Sequence, residues 1–142
     1  MTLLVDAAPM VALADAAEPL RNDILAVLQA EVGELVIPAP VTAEIDYLLG
    51  QRFGRAARRA FLADLASGRL RVSPLERDDY GPALELDSRY ADLDLGLADC
   101  SLAILADRHR TTRILTFDQR RFRAITPLQG GAFTILPADV PH

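Results

Sequence analysis

A nearly unbroken apolar run interrupted by one acid constrains this chain more than any other feature. Leu95, Leu97, Ala98, Cys100, Leu102, Ala103, Ile104, Leu105 and Ala106 leave almost no polar face between them, and a helix apolar nearly all round must be buried. Asp99 stands inside that run. A carboxylate in such surroundings is costly unless a cation or strong donors meet it. After a short polar turn, Arg113-Ile114-Leu115-Thr116-Phe117 reads as a strand. Asp118 closes it and is placed to share whatever partner Asp99 finds.

Short apolar runs of this kind recur along the chain, and helical stretches separate them. Leu3-Leu4-Val5 is a buried parallel strand by its pattern and ends at Asp6. The sequence predicts a helix from Met10 to about Ala16 with Pro9 in its first turn, then another from Glu18-Pro19 to about Val32. Leu35-Val36-Ile37 is a second strand stopped by Pro38 and Pro40. A helix follows from about Val41 to Gly50 with Glu44 in its first turn, and a further one spans Gly54 to Ala66 with Phe61, Leu62 and Leu65 buried. Leu70 and Val72 mark a third strand. Asp78 to Ala91 reads as a helix carrying Leu84, Leu86 and Tyr90, and Asp94 as the N-cap of the apolar helix. Gly130-Gly131 turns into a last edge strand, Phe133 to Leu136. Strands alternating with helices imply βαβ crossovers. The expected fold is therefore α/β, a four- to five-stranded, mainly parallel sheet between two helical layers. With no repeat, low-complexity segment or linker, residues 1–142 are expected to form one domain.

Composition excludes several classes. A net charge of −5 and a pI near 4.9 argue against a general nucleic-acid coat protein. No apolar run is long enough to span a membrane, and the start of the chain, with Asp6 interrupting it, lacks a signal-peptide pattern. The lone Cys100 has no partner for a disulfide and reads as a small buried hydrophobe. A cytoplasmic location is expected. All 15 basic residues are arginine, the side chain whose planar fork suits phosphate, although a coding bias accounts for most of that usage.

In open parallel sheets, ligands gather beyond the carboxyl ends of the strands. Asp6 and Asp118 lie at such ends, Glu44 follows the second strand, and Asp99 begins the helix before the fourth. Two carboxylates about 4 Å apart repel by roughly 4 kcal/mol at an effective dielectric near 20, so four ionised together need a divalent cation. Oxygen-only ligands select a hard ion, Mg²⁺ or Mn²⁺. Zinc lacks its usual donors, since His109 lies in a turn and His142 is the last residue. Each acid also has a structural reading: Asp6 as a helix N-cap, Glu44 as a partner of a helix dipole, Asp118 as a turn cap. Asp15 and Asp46 read as surface charges. Thr116 is placed to donate a hydrogen bond to the acids. Arg120, Arg121 and Arg123 follow Asp118 and are candidates to hold flanking phosphates. A second basic patch, Arg52, Arg55, Arg58 and Arg59, has helical spacing and would face a phosphate-bearing or acidic partner.

The order of these segments resembles the PIN-domain ribonucleases, and most closely the VapC toxins of bacterial toxin–antitoxin pairs. The resemblance is carried by the apolar strand ending at Asp6, Val41-Thr42-Ala43-Glu44 after a Pro-flanked strand, Asp94-Leu-Gly-Leu-Ala-Asp99, and Ile114-Leu-Thr-Phe-Asp118-Gln-Arg-Arg-Phe122. It extends from Leu3 to Leu136. It implies Asp6, Glu44, Asp99 and Asp118 as an acid quartet, with Asp6 and Asp99 as the direct ligands of the retained Mg²⁺. It also implies endonucleolytic cleavage of RNA such as tRNA or rRNA, a homodimer, and a cognate VapB-like antitoxin. One departure is Ala7-Ala8 where the family often carries a hydroxyl after its first acid. Two alternatives from other classes are a receiver-type signalling domain with an acidic Mg²⁺ pocket and an inactive PIN-fold module that binds RNA or protein. The absence of any lysine counts against the receiver.

Overall fold

The computed structural model describes residues 2–141, so His142 lies outside the described residues. Five parallel strands form one sheet in the order β3-β2-β1-β4-β5: β1 (Leu3–Val5), β2 (Leu35–Pro38), β3 (Arg71–Ser73), β4 (Arg113–Leu115) and β5 (Thr134–Leu136). The chain moves outward from β1 to β3, then returns to the far side of β1 for β4 and β5. The direction reverses between β1 and β4, and that crevice is where open α/β sheets receive ligands.

Strand alternation divides the core. Leu4, Ile114 and Ile135 stand in register and face one way, onto the main cluster with Ile45, Phe61, Leu102 and Leu105. Val5, Leu115 and Leu136 form the next row and face the other way, onto Ala12, Ile24 and Val27. Both faces of β1, β2 and β4 are therefore buried, which explains continuous apolar runs in place of alternating ones, while the edge strand β3 keeps Arg71 and Val72 exposed. Helix α2 (Arg21–Ala30) supplies the smaller cluster, α1 (Ala7–Ala12) contributes Ala12 to it and Ala7 and Val11 to the larger one, and α3 (Ala39–Phe53), α4 (Arg55–Ala66), α5 (Tyr80–Arg89) and α6 (Leu97–Arg108) cover the larger one. The result is the three-layer α/β/α arrangement expected from the sequence.

Several boundaries differ from expectation. Helix α1 starts at Ala7, directly behind Asp6, with Pro9 in its first turn, and ends by Ala12. Helix α3 starts at Ala39, so Pro40 initiates it, as a proline within the first turn does. Glu44 then falls in the second turn and not the first, which removes the helix dipole as its explanation, since that effect fades within one turn. The predicted helix from Asp78 to Ala91 is broken into a 3-10 turn over Arg77–Asp79, α5, and a second 3-10 turn over Ala91–Leu93. Leu62 and Leu84 are exposed. Asp94 is not the N-cap of α6. It adopts a left-handed conformation (φ 51°, ψ 56°) that Asp tolerates better than most residues, and Gly96 takes the cap position. A helix absent from the sequence reading, α7 (Gln119–Ala124), follows β4 and anchors through Phe122, which packs edge-to-face on Phe133 at 5.7 Å. No helix among the described residues is long and apolar enough to cross a membrane.

Candidate active site

The end of β1 delivers Asp6 to the crevice between β1 and β4. Asp6 caps α1: its Oδ1 accepts from the Ala7 amide at 2.7 Å, and its backbone amide donates to Leu115 O at 2.9 Å. Its Oδ2 accepts from Thr116 Oγ1, also at 2.7 Å. Thr116 is buried, and its hydroxyl oxygen accepts in turn from the Asp118 amide at 3.0 Å. One hydroxyl therefore ties the ends of β1 and β4 together and fixes the rotamer of Asp6. Capping and membership of the acid group coexist in the same side chain. The hydroxyl missing at Ala7-Ala8 is supplied here by Thr116, directly after β4.

Asp118 caps α7, its Oδ1 accepting from the Arg121 amide at 3.0 Å. Asp99 lies in the first turn of α6, where its Oδ2 accepts from the Gly96 amide at 3.5 Å, a reach back from the third helical position to the cap. The first turn of α7 brings Arg121 back over both acids. Its Nη1 lies 3.1 Å from Asp99 Oδ2 and 3.4 Å from Asp118 Oδ2. Its Nε and Nη2 donate to the carbonyls of Leu93 and Asp94 at 3.2 and 3.4 Å. The left-handed turn at Asp94 aims those carbonyls at the guanidinium.

Asp6, Glu44, Asp99, Asp118 and Arg121 line one open cleft of about 680 Å³, with Phe117 at its wall. Glu44 is exposed at the rim on α3. Burial raises the pKa of Asp6 above the ordinary aspartate value; the bonds from Thr116 and Ala7 oppose the rise, and the charges of Glu44 and Asp118 add to it. Burial also raises Asp99, with Asp6 and Asp118 adding to the rise while Arg121 and the Gly96 amide oppose it. The acids thus sense one another across the cleft, and a cation would relieve the strain. As placed, no three carboxylate, imidazole or thiol side chains among the described residues are gathered tightly enough to surround one ion. The guanidinium between Asp99 and Asp118 is the cationic group of the cleft.

The three arginines after Asp118 point three ways. Arg120 is exposed, Arg121 enters the cleft, and Arg123 pairs with Asp139 at 2.8 Å and with the Gln119 amide oxygen. Sequence reasoning had no route to the Arg121 bridge, although an Asp three residues ahead of an Arg at a strand end is a helix-cap signal that could have revealed α7. His109 caps α6 with its Nε2 3.3 Å from Ser73 Oγ, away from the acids. Cys100 is buried.

Comparison with known proteins identifies the family. The chain is 36% identical over 135 residues to Ribonuclease VapC26 of Mycobacterium tuberculosis, covering 95% of this chain and all of the relative. Its fold matches the crystal structure of Mycobacterium tuberculosis VapC20, described as a sarcin-ricin loop cleaving toxin, with a TM-score of 0.76 over 82% of this chain and 90% of that one at 20% identity. It also matches VapBC2 from Rickettsia felis bound to a DNA fragment from their promoter, with a TM-score of 0.69 over 95% and 98% of the two chains at 18% identity. The PIN domain family model matches residues 3–126, a span that contains all four acids and the whole of α7, and the chain belongs to the PIN domain family.

Proposed function

We propose that this chain is a divalent-metal-dependent endoribonuclease, the toxin half of a VapBC-type pair, with Asp6, Glu44, Asp99 and Asp118 as its acidic site. The observation that carries the reading is the cleft at the β1/β4 reversal, where half-buried Asp6 and Asp99 converge with Asp118 and Glu44, and where desolvation and the neighbouring carboxylates raise the pKa values of Asp6 and Asp99. Likeness to a ribonuclease along nearly the whole chain supports RNA as the substrate. Residues 1–142 then act as one catalytic unit, working as a homodimer and held inactive by a VapB-like antitoxin.

The donor set is oxygen-only and anionic, which fits Mg²⁺ or Mn²⁺ and does not fit zinc. Asp6 and Asp99 would hold the ion, with Glu44 and Asp118 completing the acidic wall. When bound, such an ion lowers the pKa of a water and offsets charge on the scissile phosphate. The chain's own groups do the positioning. Thr116 and the Ala7 amide keep the Asp6 carboxylate aimed into the cleft. Glu44 and Asp118, on its more open side, are the carboxylates available to orient the attacking water. Arg121, on release from Asp99 and Asp118, would present a planar fork matched to a phosphate.

The receiver alternative is disfavoured by topology. CheY-type receivers order their strands 2-1-3-4-5, whereas this sheet runs 3-2-1-4-5. The decisive experiment is metal-titrated cleavage of total tRNA by wild type and Asp99→Asn. Cleavage that needs Mg²⁺ or Mn²⁺ and disappears in the variant, with an unchanged or higher circular-dichroism melt, is the expected outcome. A variant that cuts as well as wild type would overturn the assignment.

A further inference from the structure

We propose that the exposed face of α3 and the start of α4 form a track for single-stranded RNA leading away from the acid cleft, with Tyr47 as a base-stacking platform and Arg55 and Arg58 as phosphate clamps. The proposal rests on the ribonuclease reading and names where the strand beside the scissile phosphate lies.

Glu44, Tyr47 and Gln51 are spaced i, i+3 and i+7 along α3, so they share one helix face. Glu44 lines the acid cleft. Seven residues at about 1.5 Å each carry that face roughly 10 Å from Glu44 to Gln51. There it opens into a second cavity of about 360 Å³ lined by Asp46, Tyr47, Gly50, Gln51, Arg55 and Arg58. The two cavities are thus joined by a single rigid helix face. Tyr47 is 64% exposed, a large aromatic left in solvent beside the arginines.

The charges here are uncommitted. Arg69, Arg71, Arg108, Arg113, Arg121 and Arg123 all pair with acids, and the other arginines without an ion pair among the described residues, Arg21, Arg77, Arg89, Arg110 and Arg120, are spread singly along the chain. Arg52, Arg55, Arg58 and Arg59 enter no ion pair among the described residues, and they cluster at the α3–α4 corner of an acidic protein. Gly50 lets the stem of Arg58 lie close: a β-carbon there would sit 3.4 Å from Arg58 Cδ. The Arg58 Nε is buried with no hydrogen-bond partner. An unsatisfied buried donor calls for an explanation, and a phosphate oxygen bound in the cavity that Arg58 lines would supply an acceptor. Asp46, the acid of the lining, stands beside them without forming a pair with either arginine. A positive groove with an aromatic platform is the chemistry by which proteins hold single strands without reading sequence.

The test is fluorescence anisotropy of the full chain with a labelled single-stranded RNA of about 16 nucleotides, in EDTA so that metal-dependent cutting does not intervene. Arg55→Ala/Arg58→Ala should weaken binding about tenfold and reduce the slope of log K against log salt by about 1.4, the value for two lost phosphate contacts on a single strand. Tyr47→Ala should weaken binding about fivefold or more with the slope unchanged, and Tyr47→Phe should stay close to wild type. Arg55→Lys/Arg58→Lys should keep the slope. These effects appearing in a protein that cuts no RNA with Mg²⁺ or Mn²⁺ would uphold the track while sinking the nuclease reading. Unchanged affinity and slope in all variants would overturn the track. So would variants that change the sedimenting mass but not RNA binding, which would make this face a protein interface.

Discussion

The two sides of the acid cleft are held by different physics. On the β1 side, Asp6 is fixed by neutral donors, an amide and the Thr116 hydroxyl, both at 2.7 Å. On the α6 and α7 side, Asp99 and Asp118 are held by a shared guanidinium at 3.1 and 3.4 Å. Neutral donors orient a carboxylate and leave its charge in place; a cation orients and neutralises it. The first side is thereby pre-organised, while the second can exchange one positive partner for another. Asp99 keeps 14% of its side-chain surface exposed and Arg121 32%, so the exchange can occur at an open face.

The largest expected effect is on turnover. Asp6→Asn and Asp99→Asn should each lower metal-dependent RNA cleavage by about a hundredfold or more, since a lost ligand forfeits several kcal/mol of charge stabilisation. Equal residual cleavage in both variants and wild type would erase the comparison.

Thr116→Val comes next. It leaves Asp6 Oδ2 and the Asp118 amide without their shared partner and should cost about 1–3 kcal/mol of stability by chemical denaturation. Thr116→Ser should restore most of that. A Val variant as stable as wild type would show that the β1 side is not held by this hydroxyl.

Arg121→Ala should act in opposite directions on two readouts. The exposed ion pair contributes only about 1 kcal/mol or less to stability. Without the guanidinium, however, Asp99 and Asp118 face each other uncompensated, so the rise in melting temperature on adding Mn²⁺ should exceed that of wild type. An equal rise would mean that Arg121 and the ion do not compete for the same acids.

A smaller effect should appear with pH. The folded pKa values of Asp6 and Asp99 lie above their ordinary 3.8. The native state therefore holds these protons more tightly than the unfolded chain. That stabilisation is complete below pH 3.8 and is lost as pH rises through the raised values. Asp99→Asn should accordingly gain on wild type as pH increases from 4 towards neutrality in metal-free buffer, read from paired melts. Glu44→Gln, at an exposed position, should leave stability within about 0.5 kcal/mol of wild type.

Much of this was legible from residue order. Continuous apolar runs such as Leu3-Leu4-Val5 and Ile114-Leu115 announce strands buried on both faces, and acids that close such runs lie at the carboxyl edge of a parallel sheet by topology alone. The burial of α6 followed from its lack of a polar face. The misplaced elements were those where local chemistry competes. Pro38 joins β2, and Pro40 begins α3 where residue order alone reads as a stop. Asp94 took a left-handed turn, leaving the cap to Gly96. Proline and aspartate each serve more than one local role, and packing selects among them.

The sequence by itself determined the parallel α/β class, the buried helix and the positions of Asp6 and Asp118 beyond strand ends, because periodicity is a property of local residue order. Only the tertiary structure decided which partner each acid would have. Thr116 reaches Asp6 across 110 residues, and Arg121 turns inward while Arg120 and Arg123 do not. Those outcomes depend on where β1 meets β4 and on the angle at which α7 leaves the sheet, quantities set by the packing of Phe122 and its neighbours and carried by no local pattern.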